Sequence, residues 1–342
     1  MTENSPSLEE WKPLYEAAIE FQKIKSWKWM YDSDIFGVQN PQNGEIGYCC
    51  VMGNLGEVFG IAVYLGSSGL EGYKKMQSGQ IQMGDPDLMH IQNCLMASYD
   101  DKNHLEKEDL QVINQLGLKF KGRNAWPSFR NYKPGYYPWF LNRNEVLYLT
   151  QVLEQAKDVC LRFLDNKNLL HPPKNNLYLT RVPEKSATGL TWRDEWLKPA
   201  PLPKDRPFET VINEVQLKRI KKSAKSSDQV WEVDFFFAPS PIMEKERPYF
   251  PYVTCALEQR SGLMLGVKIM PLSEYQKGFQ DNFLSFIEKA KIIPAKVLVR
   301  KEEALKLLEP FGSELNFKLG LAKVLPRVDE ARAGMMEYFS LR

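Results

Sequence analysis

Residues 229–270 read QVWEVDFFFAPSPIMEKERPYFPYVTCALEQRSGLMLGVKIM, and they contain three apolar runs of strand length. QVWEVDFFFA (229–238) predicts one strand, RPYFPYVTCALEQ (247–259) a second and GLMLGVKIM (262–270) a third. Arg260-Ser261-Gly262 supplies the hairpin turn between the last two, because small residues and glycine accept the backbone angles of a tight reversal. Period-two geometry then puts Val233, Phe235 and Phe237 on one face of the first strand and Asp234 and Phe236 on the other.

The elements that follow extend the pattern. SEYQKGFQDNFLSFIEKA (273–290) carries Tyr275, Phe279, Phe283, Phe286 and Ile287 at helical spacing. IPAKVLV (293–299) predicts a fourth strand, KEEALKLLEPFG a short helix stopped by Gly312, LNFKLGLA (315–322) a fifth strand, and Pro326 opens a final helix. A mixed five-stranded sheet in an α/β domain is expected from about residue 209 to 342.

Three antiparallel strands, then helix, strand, helix, strand, helix: this order resembles the ribonuclease H-like fold of integrase and transposase cores. The wording WEVD followed by RPYFPYVTCALEQRSGLMLGVKI is similar to the integrase pattern over about 110 residues. The whole chain also resembles a two-domain family of bacterial proteins of unknown function. The resemblance implies a nuclease site in which several carboxylates converge on two magnesium ions. Carried over by position, the first-strand acid matches Asp234, but the end of the fourth strand reads Val299-Arg300-Lys301 where a second acid belongs. A cation there repels a divalent metal. Glu302 and Glu303 follow at a helix start, and Asp329 and Glu330 lie in the first turn of the last helix, where the helix dipole alone favours acids. The resemblance therefore implies a degenerate domain in a binding or scaffold protein, with no metal or cofactor. The alternative is a nucleic-acid-binding protein or metal-dependent nuclease using Asp234 with Glu302 or Glu303 and Asp329 or Glu330.

The N-terminal part, 1–170, reads as an α+β domain. Ser7-Leu-Glu-Glu10 has capping-box spacing ahead of a helix over 7–25, and Asn142 with Glu145 repeats it ahead of a helix over 143–167. Between them, apolar runs broken by Asn-Pro, Asn-Gly and Gly-Asn pairs predict an antiparallel meander. Seven of the chain's 21 glycines fall in residues 44–70, which raises the question of a phosphate cradle. There is no lysine in that stretch for a Walker loop, and the glycine spacings are 3, 6, 3, 4, 6 and 3, never the 2 of a dinucleotide fingerprint. Gly66-Ser67-Ser68-Gly69, at a strand-to-helix junction, is the one arrangement able to hold an anion on backbone N–H groups; a serine N-cap, with the other glycines serving turns and close strand packing, is the competing reading.

From Leu110 to Asn144 the chain has no acid and six lysines or arginines, among them Arg123, Arg130 and Lys133, interleaved with eight aromatic residues. Cations for phosphates and rings for bases are what single-stranded nucleic acid requires; rings packed into a core beneath surface lysines are the competing reading. A second basic run, QLKRIKKSAKSS (216–227), reads as a phosphate track or a solvated helix end.

Composition narrows the rest. With 342 residues and 43% apolar content, the chain can bury two cores, and its net charge of +2 provides no global field for a polyanion. Seven prolines between 172 and 207 mark a linker, 171–208, in which NLYLTRV and GLTWRDEWL look like strands that dock on one domain. Five cysteines without CxxC spacing suit a reducing cytoplasm, with Cys49 and Cys50 on opposite strand faces. No apolar run approaches the roughly 20 residues of a membrane span. His90, His104 and His171 stand away from each other, and they do not combine with the cysteines into the spaced pairs of a zinc motif, which leaves a zinc site without support.

Overall fold

The computed structural model describes residues 5–81, 87–187, 189–203 and 214–340. The expected domain start at 209 and the last linker residues lie outside the described residues. The chain divides into two compact units, one comprising residues 1–134 and 138–204, the other 135–137 and 205–342.

The first unit runs α1 (Leu8–Ile24), β1 (Phe36–Gln39), β2 (Ile46–Met52), β3 (Gly60–Leu65), α2 (Gly66–Gln77), α3 (Leu88–Ile91), β4 (Cys94–Asp100), α4 (Lys107–Gln115), β5 (Trp126–Tyr132), α5 (Arg143–Asp165), β6 (Tyr178–Ser186) and β7 (Gly189–Leu197). Its seven-stranded sheet has the order β5-β4-β3-β2-β1-β6-β7. The first five strands form the antiparallel meander, whereas β6 joins β1 in parallel, which makes the sheet mixed. Sequence runs that looked like docked linker strands are thus β6 and β7, full members of this sheet. Helices α1 and α5 begin at the expected capping boxes: Ser7 Oγ accepts from the Glu10 N–H at 3.3 Å, and Asn142 Oδ1 from the Glu145 N–H at 3.1 Å. Both helices bury their apolar stripes on one face of the sheet with Phe36, Val38, Cys49, Val51 and Val63. Cys50, one residue on from Cys49, packs with Tyr48 and Tyr64 on the opposite side, and all five cysteines are free and buried.

The second unit runs α6 (Glu214–Ser223), β8 (Lys225–Ser226), β9 (Val230–Phe237), β10 (Tyr252–Glu258), β11 (Met264–Met270), α7 (Tyr275–Ala290), β12 (Ile292–Ile293), β13 (Lys296–Val299), α8 (Glu302–Leu315), β14 (Lys318–Leu321) and α9 (Pro326–Ser340). Its five-stranded sheet has the order β11-β10-β9-β13-β14, with β9, β10 and β11 antiparallel and β9, β13 and β14 parallel. Strand β9 is therefore central. Trp231, Val233 and Phe235 pack with α6, α7 and α8 in one core, while Phe236 joins Cys255, Leu257, Leu325 and Val328 under α9. Helix α8 continues past Gly312 to Leu315, because Asn316 (φ 59°) supplies the left-handed cap expected of the glycine.

Candidate functional site

Alternation along β9 places two acids, Glu232 and Asp234, on the face covered by α9, and both are almost wholly buried (0% and 3% exposed). A buried carboxylate needs compensation. Asp234 Oδ1 accepts from the Phe235 N–H at 2.9 Å. Lys301 Nζ lies 3.8 Å from the same oxygen, and Arg300 Nε lies 3.7 Å from Oδ2. Arg300 also pairs with Asp329, and Lys301 donates to the Phe235 carbonyl with its ammonium 4.2 Å from the Phe235 ring centroid. Both cations sit just after β13, the parallel neighbour of β9, so the sheet itself brings them to Asp234. Burial raises the Asp234 pKa, Lys301 and Arg300 pull it back, and the balance stays above the ordinary carboxylate value.

Glu232 is used differently. Its Oε2 accepts the Arg327 and Val328 N–H groups at 2.8 and 3.2 Å, in the first turn of α9, where a helix leaves donors without partners. Its Oε1 is buried and has no hydrogen-bond partner among the described residues. Sequence reasoning passed over Glu232, although its place two residues before Asp234 in a strand puts both on one face.

Of the other acids, Asp329 meets Asp234 through their shared Arg300, while Glu303 and Glu330 pair elsewhere. Glu303 accepts from the Tyr275 hydroxyl at 2.6 Å and from Gln276 at 3.1 Å, on α7 across the sheet from α9. Glu302 lies with it in the first turn of α8. Asp329 is bound by Arg300 and accepts from the Leu325 N–H at 3.3 Å, while Glu330 meets Arg327 at 3.3 Å. Among the described residues, no group of three or more His, Cys, Asp or Glu is placed to hold a metal ion. A dication approaching Asp234 would face two positive charges, each opposing it by about 4 kcal/mol per unit charge at 4 Å and an effective dielectric near 20.

In the first unit, Gly66 opens α2 at φ 58° and the Glu45 carboxylate fills the space where its side chain would be, leaving an incoming anion opposed by a like charge. The Ser67 hydroxyl donates to the Ala200 carbonyl at 2.5 Å, and Ser68 Oγ accepts from Asn93 Nδ2 at 3.1 Å. A Cβ on Gly69 would fall 2.6 Å from the Asn93 carbonyl oxygen, so this glycine serves close packing of α2 on the sheet. Arg130 forms a two-pronged pair with Asp109 at 2.9 and 2.6 Å and stacks 4.6 Å from the Phe140 ring centroid. Arg123 and Lys133 are exposed. Of the rings in 119–143, Phe129 is buried and Phe120 and Trp126 pack against the same core. In the 216–227 run, Leu217 and Ile220 of α6 are buried, while Lys221 pairs with Glu314 at 2.6 Å and Arg219 with Glu288 at 3.6 Å.

No helix among the described residues is long and apolar enough to cross a membrane. Residues 216–336 match a family described as Domain of unknown function (DUF6930), and residues 11–181, half of the chain, match Domain of unknown function (DUF7309). No curated protein matches the chain. Two successive matches of this kind fit a two-domain protein of mixed α/β structure, and the chain belongs to the DUF7309 family, whose function is unknown.

Proposed function

We propose that this is a non-catalytic binding or scaffold protein of the cytoplasm, built from an α+β domain over 1–170, a proline-rich linker over 171–208 whose two strands dock on that domain's sheet, and a ribonuclease H-like domain over 209–342 whose acid site is closed by cations. The strand order β11-β10-β9-β13-β14, with the last three strands parallel and the acid on the central one, supports the ribonuclease H-like reading. Five buried free thiols support a reducing compartment. The observation that carries the non-catalytic reading is the seating of Lys301 and Arg300 on Asp234. Two-metal phosphodiester cleavage needs carboxylates on both sides of an ion pair about 4 Å apart, and here one side presents an ammonium and a guanidinium.

The test is incubation of the purified protein with single- and double-stranded DNA and RNA in Mn²⁺, beside Asp234→Asn and a Glu302→Gln, Glu303→Gln double variant. No cleavage above a buffer control is expected. Wild-type cleavage that both variants abolish would establish a working nuclease site and overturn this reading.

A further inference from the structure

The acid-free stretch after α4 leaves a cavity in the first unit that the reading of Asp234 does not use. Leu118 and Phe120 alternate with Lys119 and Lys121 along the loop, so the apolar pair turns to the core and the lysines to solvent. The loop reverses at Gly117 (φ 68°) and Gly122 (φ 103°) and enters β5 at Trp126. Between this loop and α4 lies an opening of about 370 Å³, floored by Leu118, Phe120 and Trp126 and rimmed by Lys102, Asn114 and Lys119. No carboxylate lines it. Asp101, the nearest acid in sequence to Lys102, accepts the Asn124 N–H at 2.8 Å. That volume is within the range of small-ligand sites, and two cations without an acid select an anion.

We propose that this cavity binds a nucleotide unit, its base stacked on Trp126 and its phosphate held by Lys102 and Lys119. Lys102 Nζ rests 5.5 Å from the Trp126 ring centroid, covering the half-buried indole with a cation. A flat base has a π face to replace that contact, and its arrival frees the ammonium to pair with the phosphate it brings. The Asn114 amide offers both a donor and an acceptor at the rim for the base edge. Lys121 and Arg123, exposed on the same loop, extend the positive charge beyond the rim and provide for the neighbouring phosphates of a strand. The inference goes beyond the non-catalytic reading and stands independently of it, because it concerns the other unit.

The full-length chain is titrated with fluorescein-labelled ten-nucleotide oligo(dT) and oligo(rU) by anisotropy, and with AMP and UMP by calorimetry. Saturable binding is expected for at least one probe, weakening about tenfold as salt rises from roughly 50 to 200 mM. Lys102→Ala with Lys119→Ala should weaken it at least tenfold, Trp126→Leu should abolish it, and Trp126→Phe, which keeps a stacking ring and the fold, should stay within about threefold. Oligonucleotide binding tighter than mononucleotide binding identifies a strand as the source of the nucleotide, and equal binding identifies the free nucleotide. Absence of binding to every probe, or binding that the lysine double variant leaves unchanged, overturns the proposal.

Discussion

The ammonium of Lys301 stands 3.8 Å from Asp234 Oδ1, an ion pair between the second residue past strand β13 and the acid at the middle of the central strand β9. Parallel pairing of Leu298 with Glu232 sets the register that makes the two meet. The pair converts what would be an open carboxylate into one arm of a network running from Asp234 through Arg300 to Asp329 on α9. Four consequences of this and other contacts are open to measurement.

Burial dominates at Asp234, so the folded protein holds the carboxyl proton more tightly than the unfolded chain does. Between the ordinary value near 3.8 and the raised folded value, stability therefore falls as pH rises. Asparagine has no such proton. Melting temperatures of wild type and Asp234→Asn across pH 4 to 7 should show the variant gaining on wild type as pH increases through that window. A variant that instead loses ground with rising pH would mean that the cations outweigh burial.

Arg130 and Asp109 form a mostly buried pair, with side chains 16% and 7% exposed. Removing one partner strands the other, which costs about 3–5 kcal/mol in such settings. Arg130→Ala should therefore lower the midpoint of chemical unfolding sharply, whereas exposed Arg123→Ala should change stability by less than about 0.5 kcal/mol. Equal effects would place Arg130 outside the structural role assigned to it.

The glycines of 44–70 should separate by what surrounds them. A Cβ on Gly60 would run into the Ala97 carbonyl of β4, while one on Gly56 (φ 82°) meets nothing within 4 Å. Gly60→Ala should cost about 1–3 kcal/mol through forced strand separation. Gly56→Ala should cost only the backbone strain of about 1–2 kcal/mol that an L-residue meets in the left-handed region. Urea unfolding of the two variants gives the comparison directly.

Glu258 fastens the β10–β11 hairpin, its Oε2 accepting the Ser261 hydroxyl and N–H, each at 2.6 Å, and its Oε1 the Arg260 N–H at 3.1 Å. These bonds from Ser261 hold its carboxyl below the ordinary value, so the stability it adds is present at neutral pH and fades as pH falls through the lowered value. Glu258→Gln should drop the melting temperature by about 3–5 °C at pH 7, with the gap closing toward pH 3. A gap independent of pH would assign the loss to packing.

Local chemistry was sufficient to read much of this protein from its residues. Ser7 with Glu10 and Asn142 with Glu145 announce two helix starts, because a cap and its reciprocal partner lie three residues apart and need nothing else from the fold. The facing of Val233 and Phe235 against Asp234 and Phe236 follows from strand period. Tertiary structure decided the rest, where partners are remote in sequence. Whether Arg300 and Lys301 turn toward Asp234 depends on β13 lying in parallel beside β9. Whether Arg130 meets a ligand or the fold depends on Asp109 of α4 reaching it. That β6 pairs with β1 rather than remaining in a linker depends on an edge left open by the meander. Side-chain period and capping are properties of neighbouring residues, whereas the compensation of a buried charge is a property of whatever the packed chain brings within about 4 Å of it.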